Sequence, residues 1–353
     1  MKQREKFLKS NHLTKLFLFL FLFLVSCSKD GDLKIYHLSG PTMGTTYNVK
    51  FIAPYGYDEK TIAEDIATRL KEVNQAMSTY IKDSEISLLN KAEASKEVVI
   101  SKDFFHVLSH SLGVSEKTEG IFDPTIGPLV NLWGFGPDGQ RKVPSPEKLA
   151  HALTLVGYDK IKLNSKNLSV TKSLSEIYVD LSASAKGFGV DALIDLVKAR
   201  GIDNVMVEVG GEVRTLGKSL TRPWKIGIEA PHPTNPSDIY TKVIQVQNFA
   251  LATSGDYRNF FEQDGKKYQH TINFKTGHPV EGVLASVSVI SDTCMDADAW
   301  ATALMAMGSE KGYQFAVEHG MKAFFIYRSE KTDQNGARIY LHRSTKQFDT
   351  IVK

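Results

Sequence analysis

Apolar side chains recur at every third or fourth position in several stretches of the chain, a spacing that predicts amphipathic helices. The clearest stretch places Ile62, Ile66, Leu70, Val73 and Met77 on one face of a helix. Similar spacing, with Ser, Pro or Gly at the ends, predicts four more helices, over residues 103–118, 146–155, 186–200 and 298–307.

Shorter alternating or continuous apolar runs predict β-strands between these helices. They cover residues 47–52, 161–163, 168–170, 177–181, 205–209, 224–229, 243–246, 251–254, 268–272 and 286–290, with a late hairpin of 324–327 and 338–341. Strands and helices are interleaved unevenly, which favours an α+β fold with a largely antiparallel sheet. The 353 residues leave room for one large domain or two intimate ones.

The first 26 residues have the pattern of an export signal. A basic stretch to Lys15 precedes ten apolar residues from Leu16 to Val25, whereas a helix needs roughly 20 to cross the hydrocarbon core of a membrane. The following Val25-Ser26-Cys27 resembles a bacterial lipoprotein signal, in which the cysteine is lipid-modified and becomes the mature N-terminus. The alternative is an ordinary cysteine near an anchor. We expect a lipidated Cys27, a tether over residues 27–39 and a domain over residues 40–345.

Charge and cysteine content narrow the class of protein. The chain carries a net charge of +3, but residues 1–26 hold five basic residues and one acidic residue, which leaves 38 basic and 39 acidic residues beyond them. The electrostatic footprint of a nucleic-acid-binding protein is therefore absent. Cys27 and Cys294 are the two cysteines, so a lipidated Cys27 leaves Cys294 without an intrachain disulfide partner. An exported fold would then depend on its core alone.

Four segments are too rich in glycine, proline and small polar residues to be explained by packing: residues 39–45, 120–136, 179–187 and 252–272. In the third, a strand gives way to small residues that open a helix, where exposed main-chain amides favour an anion such as phosphate. Lys186 would add a positive charge there. A plain strand–helix turn capped by Asp180 fits the same residues equally well.

Asp298 and Thr302 lie four residues apart on the last predicted helix, so their side chains share one face. Together with main-chain oxygens and substrate phosphates, they make up the hard-oxygen ligand set that Mg²⁺ prefers. The competing interpretation is structural, with Asp298 favoured by the helix dipole and Thr302 bonded back to its own helix. Pattern alone favours the structural interpretation.

Two other motifs lack the neighbouring sequence features that a dinucleotide-binding loop or a zinc site requires. Residues 134–139 match G-x-G-x-x-G, but they neither follow a clear strand nor open a helix, so a dinucleotide-binding interpretation is set aside. His106 and His110 lie four apart on a helix without the glutamate that follows the first histidine in zincins. We interpret them as a solvated or partly buried helix face.

A set of short motifs carries a resemblance over about residues 40–308. In chain order they are Met43-Gly44-Thr45, Met77-Ser78-Thr79-Tyr80, Ser84-Glu85-Ile86-Ser87, Phe122-Asp123-Pro124, Trp133-Gly134-Phe135-Gly136, Val179-Asp180-Leu181-Ser182-Ala183, Val209-Gly210-Gly211-Glu212, Thr253-Ser254-Gly255-Asp256-Tyr257-Arg258, His270-Thr271-Ile272 and Cys294-Met295-Asp296-Ala297-Asp298. In this order, the motifs resemble the ApbE family, the FAD:protein FMN transferases.

The resemblance implies a fold and a site. The fold would be α+β, with two interdigitated α/β subdomains, mixed and largely antiparallel sheets, and the active site in the cleft between them. A Mg²⁺ ion would be held by a main-chain oxygen of Ala183 and the side chains of Asp298 and Thr302, and His270 would be catalytic. The positions implied to contact FAD are Met43, Tyr80, Phe122, Asp123, Asp180, Lys186 and Ile272. Where this chain has Asp296 the family often has threonine, which leaves the coordination details open.

The activity implied is a Mg²⁺-dependent transfer of FMN from the substrate FAD to a Ser or Thr hydroxyl of an acceptor protein, with AMP leaving. Acceptors would be redox subunits in the same membrane as the lipid anchor, facing the periplasm, with the inner membrane preferred. Two alternatives remain open: an FAD pyrophosphatase, in which water replaces the hydroxyl, and a non-catalytic exported FAD carrier. The sequence does not separate them, because all three would share the FAD site.

Overall fold

The computed structural model describes residues 32–137, 139–231, 240–257, 259–332, 334, 336 and 338–352. The predicted leader and Cys27 lie outside these ranges.

The helices α1 to α9 are Glu59–Met77, Glu85–Lys91, Lys102–Lys117, Gly127–Leu132, Pro146–Thr154, Ser182–Ala199, Cys294–Met307, Ser309–Glu318 and Lys346–Ile351. The strands β1 to β15 are Leu33–Thr42, Thr45–Pro54, Val98–Val99, Ile161–Asn164, Ser169–Lys172, Val205–Val209, Glu212–Leu216, Trp224–Glu229, Tyr240–Val246, Ala250–Gly255, Phe260–Gln263, Lys266–Gln269, Leu284–Ser291, Lys322–Thr332 and Arg338–Ser344. Of the helices that the structure describes, none has the length and apolar character that a membrane span requires.

Eight strands form one sheet in the order β1-β2-β6-β7-β10-β13-β14-β15. Every neighbouring pair in it is antiparallel. The smaller sheets β3-β5-β4, β8-β9 and β11-β12 are antiparallel as well. The expected α+β architecture with largely antiparallel sheets is therefore confirmed.

Both faces of the large sheet are buried. On one face Phe51 packs in a cluster with Ile62 of α1 and Leu193 of α6. The other face is covered by the β8–β9 ribbon and by α9, which contribute Trp224 and Phe348. Each such apolar side chain stabilises the fold by roughly 1.5–3 kcal/mol when fully buried. The sheet therefore provides a rigid base for the turns that line the cavity described below.

Residues 33–42 form β1, although the sequence analysis places residues 27–39 in a tether. All ten residues of β1 pair with β2, from Leu33 opposite Pro54 to Thr42 opposite Thr45. Because β1 is an edge strand with Leu33 and Ile35 exposed, its apolar positions do not alternate cleanly with polar ones. The predicted tether therefore ends before Leu33.

The strand predicted over residues 177–181 is wrong, because its backbone groups find partners outside a sheet. The amide of Val179 donates to Asn90 Oδ1 at 2.7 Å, and Asn90 Nδ2 donates to the carbonyl oxygen of Val179 at 2.9 Å. A single bridge from Tyr178 to Ile126 is the sheet-like contact here. The predicted strand 268–272 similarly ends at Gln269, and the following residues make one isolated bridge.

Helices α6 and α7 each begin four residues before their predicted starts, at Ser182 and Cys294. The start of α7 is held by a distant residue: Asp191 of α6 accepts hydrogen bonds from the amides of Cys294 and Met295, both at 2.9 Å. The local sequence supplies the other cap, Thr293, whose side chain accepts a hydrogen bond from the amide of Asp296 at 3.3 Å. The Ser182 amide donates to Asp180 Oδ1 at 2.8 Å, but the N-cap residue of α6 is Leu181, which makes no side-chain capping bond.

Gly187 permits the close approach of α6 to the start of α7. A Cβ at this position would lie 2.4 Å from the carbonyl oxygen of Cys294 and 2.8 Å from Met295 Cα, both of them backbone atoms. We therefore expect Gly187→Ala to lower the free energy of unfolding by about 1–3 kcal/mol, measured by urea titration. Gly113→Ala is the matched control, because its Cβ would meet no atom within 4 Å and alanine favours a helix by about 0.5–1 kcal/mol. Equal stability of the two variants would contradict this account.

Candidate active site

A cavity of about 780 Å³ lies against one end of the large sheet, bounded by the β1–β2 and β6–β7 turns, by α6 and by α7. Its walls bring together every predicted metal, FAD-contact and catalytic position. These positions are Met43, Tyr80, Phe122, Asp123, Asp180, Ala183, Lys186, His270, Ile272, Asp298 and Thr302. The structure thus joins, in one cavity, residues that are up to 259 positions apart in the sequence. The roles assigned to them stay predictions.

Met43 occupies the tip of the β1–β2 hairpin. It and Gly44 form a two-residue turn with φ of +47° and +69°, a left-handed conformation that is unfavourable for a residue with a side chain by about 1–2 kcal/mol. The turn directs the Met43 side chain between the helical clusters, close to Gly189 of α6. Packing of a flexible thioether at the cavity wall offsets this strain.

Lys186 forms the positively charged centre of the cavity. Its Nζ lies 2.5 Å from Glu212 Oε1 and 4.0 Å from Asp298 Oδ1. Burial disfavours the ammonium, but the carboxylates of Asp298 and Glu212 outweigh this effect and raise the pKa of Lys186 above its ordinary value. The lysine therefore presents a permanent positive charge to an anionic ligand.

The predicted cation ligands meet where α6 packs against α7. Asp298 is 3% exposed, and burial raises its pKa to about 7 against the opposing charge of Lys186. Its Oδ2 accepts a hydrogen bond from the Gly187 amide at 3.0 Å. In a regular helix this amide bonds the carbonyl oxygen of Ala183, so Asp298 shares the donor that faces that oxygen. Thr302 lies one turn beyond Asp298, with its Oγ1 2.9 Å from Ser254 Oγ.

These donors fit a hard divalent cation. A buried carboxylate, a hydroxyl and the main-chain oxygen of Ala183 at the cavity wall are oxygen ligands of the kind that Mg²⁺ accepts. Within the described ranges, no group of three or more His, Cys, Asp or Glu side chains is placed to hold a metal ion. A cation here would therefore complete its coordination with oxygens from a phosphate-bearing ligand and water.

His270 is held in one tautomer by the main chain. Its Nδ1 lies 3.1 Å from the carbonyl oxygen of Asn259, which can only accept, so Nδ1 carries the hydrogen and Nε2 keeps its lone pair. Burial lowers the pKa of His270 below its ordinary value, and the charges of Lys186 and Arg141 act in the same direction. The imidazole is therefore neutral near pH 7 and can accept a proton at Nε2.

Asp123 and Tyr80 differ in how they meet the cavity. The carboxylate of Asp123 is turned inward, where it accepts hydrogen bonds from the amide and hydroxyl of Thr125 and from the amide of Tyr158, all at 2.7–2.8 Å. It thereby shapes the turn that exposes Phe122 and Pro124 to the cavity. Tyr80 as a residue is 69% exposed and lines the cavity, where a planar ligand can stack on its ring.

Sequence reasoning assigned no role to Glu212, Asp191 or Asn259. Glu212 follows the Gly210-Gly211 turn, and an acidic residue directly after two glycines at a hairpin was the available signal. Asp191 and Asn259 act through main-chain contacts with residues 103 and 11 positions away, for which the sequence pattern contains no signal.

These features together describe a mixed α/β enzyme whose cavity combines a neutral imidazole, a lysine and a hard-oxygen ligand set. The chain belongs to the ApbE family, whose model matches residues 43–325. It is 43% identical over 330 residues to the FAD:protein FMN transferase of Vibrio cholerae, covering 92% of this chain and 95% of that protein. The Haemophilus influenzae protein of the same name is 42% identical over 87% of this chain and 90% of its own length. The solved structure of the flavin transferase ApbE from Vibrio cholerae matches with a TM-score of 0.81 at 38% identity, over 91% of this chain and all of that one.

Proposed function

We propose that the chain transfers FMN from FAD to a Ser or Thr hydroxyl of an acceptor protein and releases AMP. The observation that carries this proposal is the cavity that brings the His270 imidazole together with Lys186 and the oxygens of Asp298, Thr302 and Ala183. The proposal is supported by relatives named FAD:protein FMN transferase over nine-tenths of the chain.

The reaction exchanges one phosphorus–oxygen bond for another. The acceptor oxygen attacks the phosphorus of the FMN half, and the bond from that phosphorus to the bridging pyrophosphate oxygen breaks. AMP leaves with the bridging oxygen, and FMN becomes a phosphodiester of the acceptor. The hydroxyl proton passes to Nε2 of His270, the nitrogen that its hydrogen bond to Asn259 leaves free to accept it.

Lys186 and the predicted cation ligands have different electrostatic roles in this reaction. The Lys186 ammonium, fixed by Glu212, attracts the phosphates and offsets charge that develops on the leaving group. Asp298, Thr302 and the main-chain oxygen of Ala183 would hold Mg²⁺. That ion supplies, when bound, positive charge that reduces repulsion between the phosphate oxygens and an incoming nucleophile.

The proposal predicts the pH dependence of transfer. Because burial, Lys186 and Arg141 lower the pKa of His270 while Asp256 and the Asn259 carbonyl raise it, the net pKa lies below the ordinary value of about 6.5. The base is therefore active at pH 7, and kcat/KM falls only as the pH drops below that value. Rate measurements between about pH 5 and 8 test this expectation. The measurements use saturating Mg²⁺, which would keep Asp298, with its pKa of about 7, ionised. An acid limb centred above pH 7 under these conditions would contradict the expectation.

One incubation tests the proposed function against its alternatives. The protein is mixed with FAD, Mg²⁺ and a candidate acceptor peptide that contains Ser or Thr, and the products are analysed by mass spectrometry. The acceptor is expected to gain the mass of FMN with release of AMP. Free FMN and AMP without a modified acceptor would instead indicate a pyrophosphatase, and intact bound FAD a carrier.

We further propose that Cys27 is lipidated and anchors the enzyme on the periplasmic side of the inner membrane, beside its acceptors. The basic and apolar leader that precedes Cys27 supports this location. Concentrating enzyme and acceptor on one surface raises their encounter frequency without new contacts. Membrane fractionation of Cys27→Ser checks the anchor, and an unchanged membrane-bound fraction would contradict it.

A further inference from the structure

We propose that Arg141 is a positioning residue for the transfer, which holds the His270 imidazole in the orientation that accepts a proton at Nε2. This inference rests on the proposed function. Arg141 lies in the loop between α4 and α5, and it is absent from the described residues that line the cavity, whereas Asn259, Phe135 and His270 line it. The contacts that link Arg141 to His270 run through Asn259 and Phe135.

The first route from Arg141 to His270 runs through Asn259. Arg141 Nη2 donates to Asn259 Oδ1 at 2.8 Å, and Nη1 donates to the carbonyl oxygen of Phe260 at 3.0 Å. The main-chain oxygen of the same Asn259 accepts hydrogen bonds from His270 at its amide, at 3.2 Å, and at Nδ1, at 3.1 Å. The Arg141 guanidinium thus holds residues 259–260, and the carbonyl oxygen of Asn259 in this segment sets the tautomer of His270.

The second route runs through an aromatic ring. The Arg141 guanidinium lies 5.8 Å from the centre of the Phe135 ring. That ring meets His270 edge to face, with the ring centres 6.3 Å apart. Attraction between the cation and the ring keeps Phe135 against the imidazole. The two routes contact His270 at different points, which leaves the ring little freedom to turn.

The position of the β11–β12 hairpin in the fold explains why a contact from Arg141 matters for residues 259 and 270. Strands β11 and β12 form an isolated two-stranded hairpin, in which Phe260 pairs with Gln269. Asn259 and His270 are the residues directly outside that pair, at the open base of the hairpin. A two-stranded hairpin is marginally stable by itself. The His270 side of this base is also held by two hydrogen bonds with Val280, one from Gln269 Nε2 to its carbonyl oxygen at 2.6 Å and one from its amide to the carbonyl oxygen of Thr271 at 2.8 Å. Arg141 supplies the corresponding contacts on the Asn259 side.

The planar fork of arginine suits this position. Its two terminal nitrogens reach two separate acceptors at once, which the single ammonium of lysine does not do with the same geometry. The contacts are exposed, so their contribution to global stability is small. We therefore expect replacement of Arg141 to change the reaction rate far more than the stability of the fold.

The first test measures Arg141→Ala in the full chain with FAD, Mg²⁺ and an acceptor peptide. We expect kcat to fall by about ten- to a hundredfold, because small misplacement of a reacting group has effects of this size. The Kd for FAD should stay within about twofold, and added guanidinium at millimolar concentration should restore part of the rate. Arg141→Lys should show an intermediate rate. Arg343→Ala, which removes a guanidinium from the Tyr313 ring on the far edge of the sheet, is the matched control and should transfer normally.

The second test is a double-mutant cycle. Asn259→Ala retains the main-chain carbonyl and removes the Oδ1 that Arg141 binds. If both residues act in one chain of contacts, the double variant should be little slower than the slower single variant. Fully multiplicative effects, or wild-type rates in Arg141→Ala, would overturn the proposal.

The third test does not depend on activity. Nitrogen-15 NMR of histidine-labelled protein distinguishes the two imidazole tautomers, with His270→Ala used to assign the signal. We expect the Nδ1-protonated form in the wild-type protein and a mixture of tautomers in Arg141→Ala. An unchanged tautomer would overturn the inference. Absence of transfer by the wild-type protein would instead count against the proposed function, so the two failures are distinguishable.

Discussion

Asp298→Asn is expected to reduce FMN transfer by about a hundredfold or more, equivalent to about 2.7 kcal/mol of lost transition-state stabilisation. The substitution retains the size of the side chain but removes the anionic oxygen that lies beside Lys186 at the junction of α6 and α7. A hard cation binds a neutral amide oxygen much less strongly than a carboxylate. Transfer rates should therefore become nearly independent of added Mg²⁺, and calorimetric titration should show weakened Mg²⁺ affinity in the presence of FAD.

Asp296→Asn is the matched control for this prediction. Asp296 lies on the same helix, two residues earlier, and is bound to His110, Ser291 and Trp300 rather than to the cavity. We expect this variant to retain both transfer and its dependence on Mg²⁺. If Asp298→Asn transferred FMN at the wild-type rate in Mg²⁺, the cation site proposed here would be refuted, although membership of the family would stand.

His270→Ala is expected to lower kcat for transfer by about a hundred- to ten-thousandfold, the range typical of a lost general base. The imidazole is neutral, and its Nδ1 is occupied by the Asn259 carbonyl, so Nε2 is the atom that accepts the hydroxyl proton. FAD binding should change little, because the loss concerns the proton and not the phosphates. Single-turnover measurements at saturating FAD separate the two effects.

His278→Ala controls for general damage to this region. His278 packs against Trp133 near the same hairpin and is exposed. Its replacement should leave kcat within about twofold of wild type, since its ring is remote from the proton transfer. Equal activity of His270→Ala and wild type would remove His270 from the catalytic step.

Periodicity predicted most helices and strands because burial of one face is a local property of the sequence. Helix α1, for example, buries Ile62, Ile66, Leu70, Val73 and Met77, the residues that its spacing identified. The errors arose where distant groups replaced local ones. Asn90 bonds the backbone at Val179 in place of a neighbouring strand, and Asp191 of another helix binds the first amides of α7 in addition to the local cap.

The candidate site divides in the same way. Glycine-rich turns and small polar residues marked four segments of the sequence as candidates, and the resemblance of the motifs to the ApbE family assigned the individual residues. The structure added the hydrogen bonds that these residues make with distant parts of the chain. The Gly187 amide binds Asp298 across 111 positions of sequence, and Asn259 sets the tautomer of His270.

The sequence alone therefore determined most of the helices and strands and the predominance of antiparallel pairing, because these depend on local periodicity. The site residues followed from the resemblance of the ordered motifs to the ApbE family. Only the tertiary structure decided the ion pair of Lys186 with Glu212, the hydrogen bond of the Gly187 amide to Asp298 and the orientation of His270. Those features depend on distances between segments far apart in the chain. Such distances are set by the packing of α6 on α7 and of the β11–β12 hairpin on its neighbours, which no local pattern encodes.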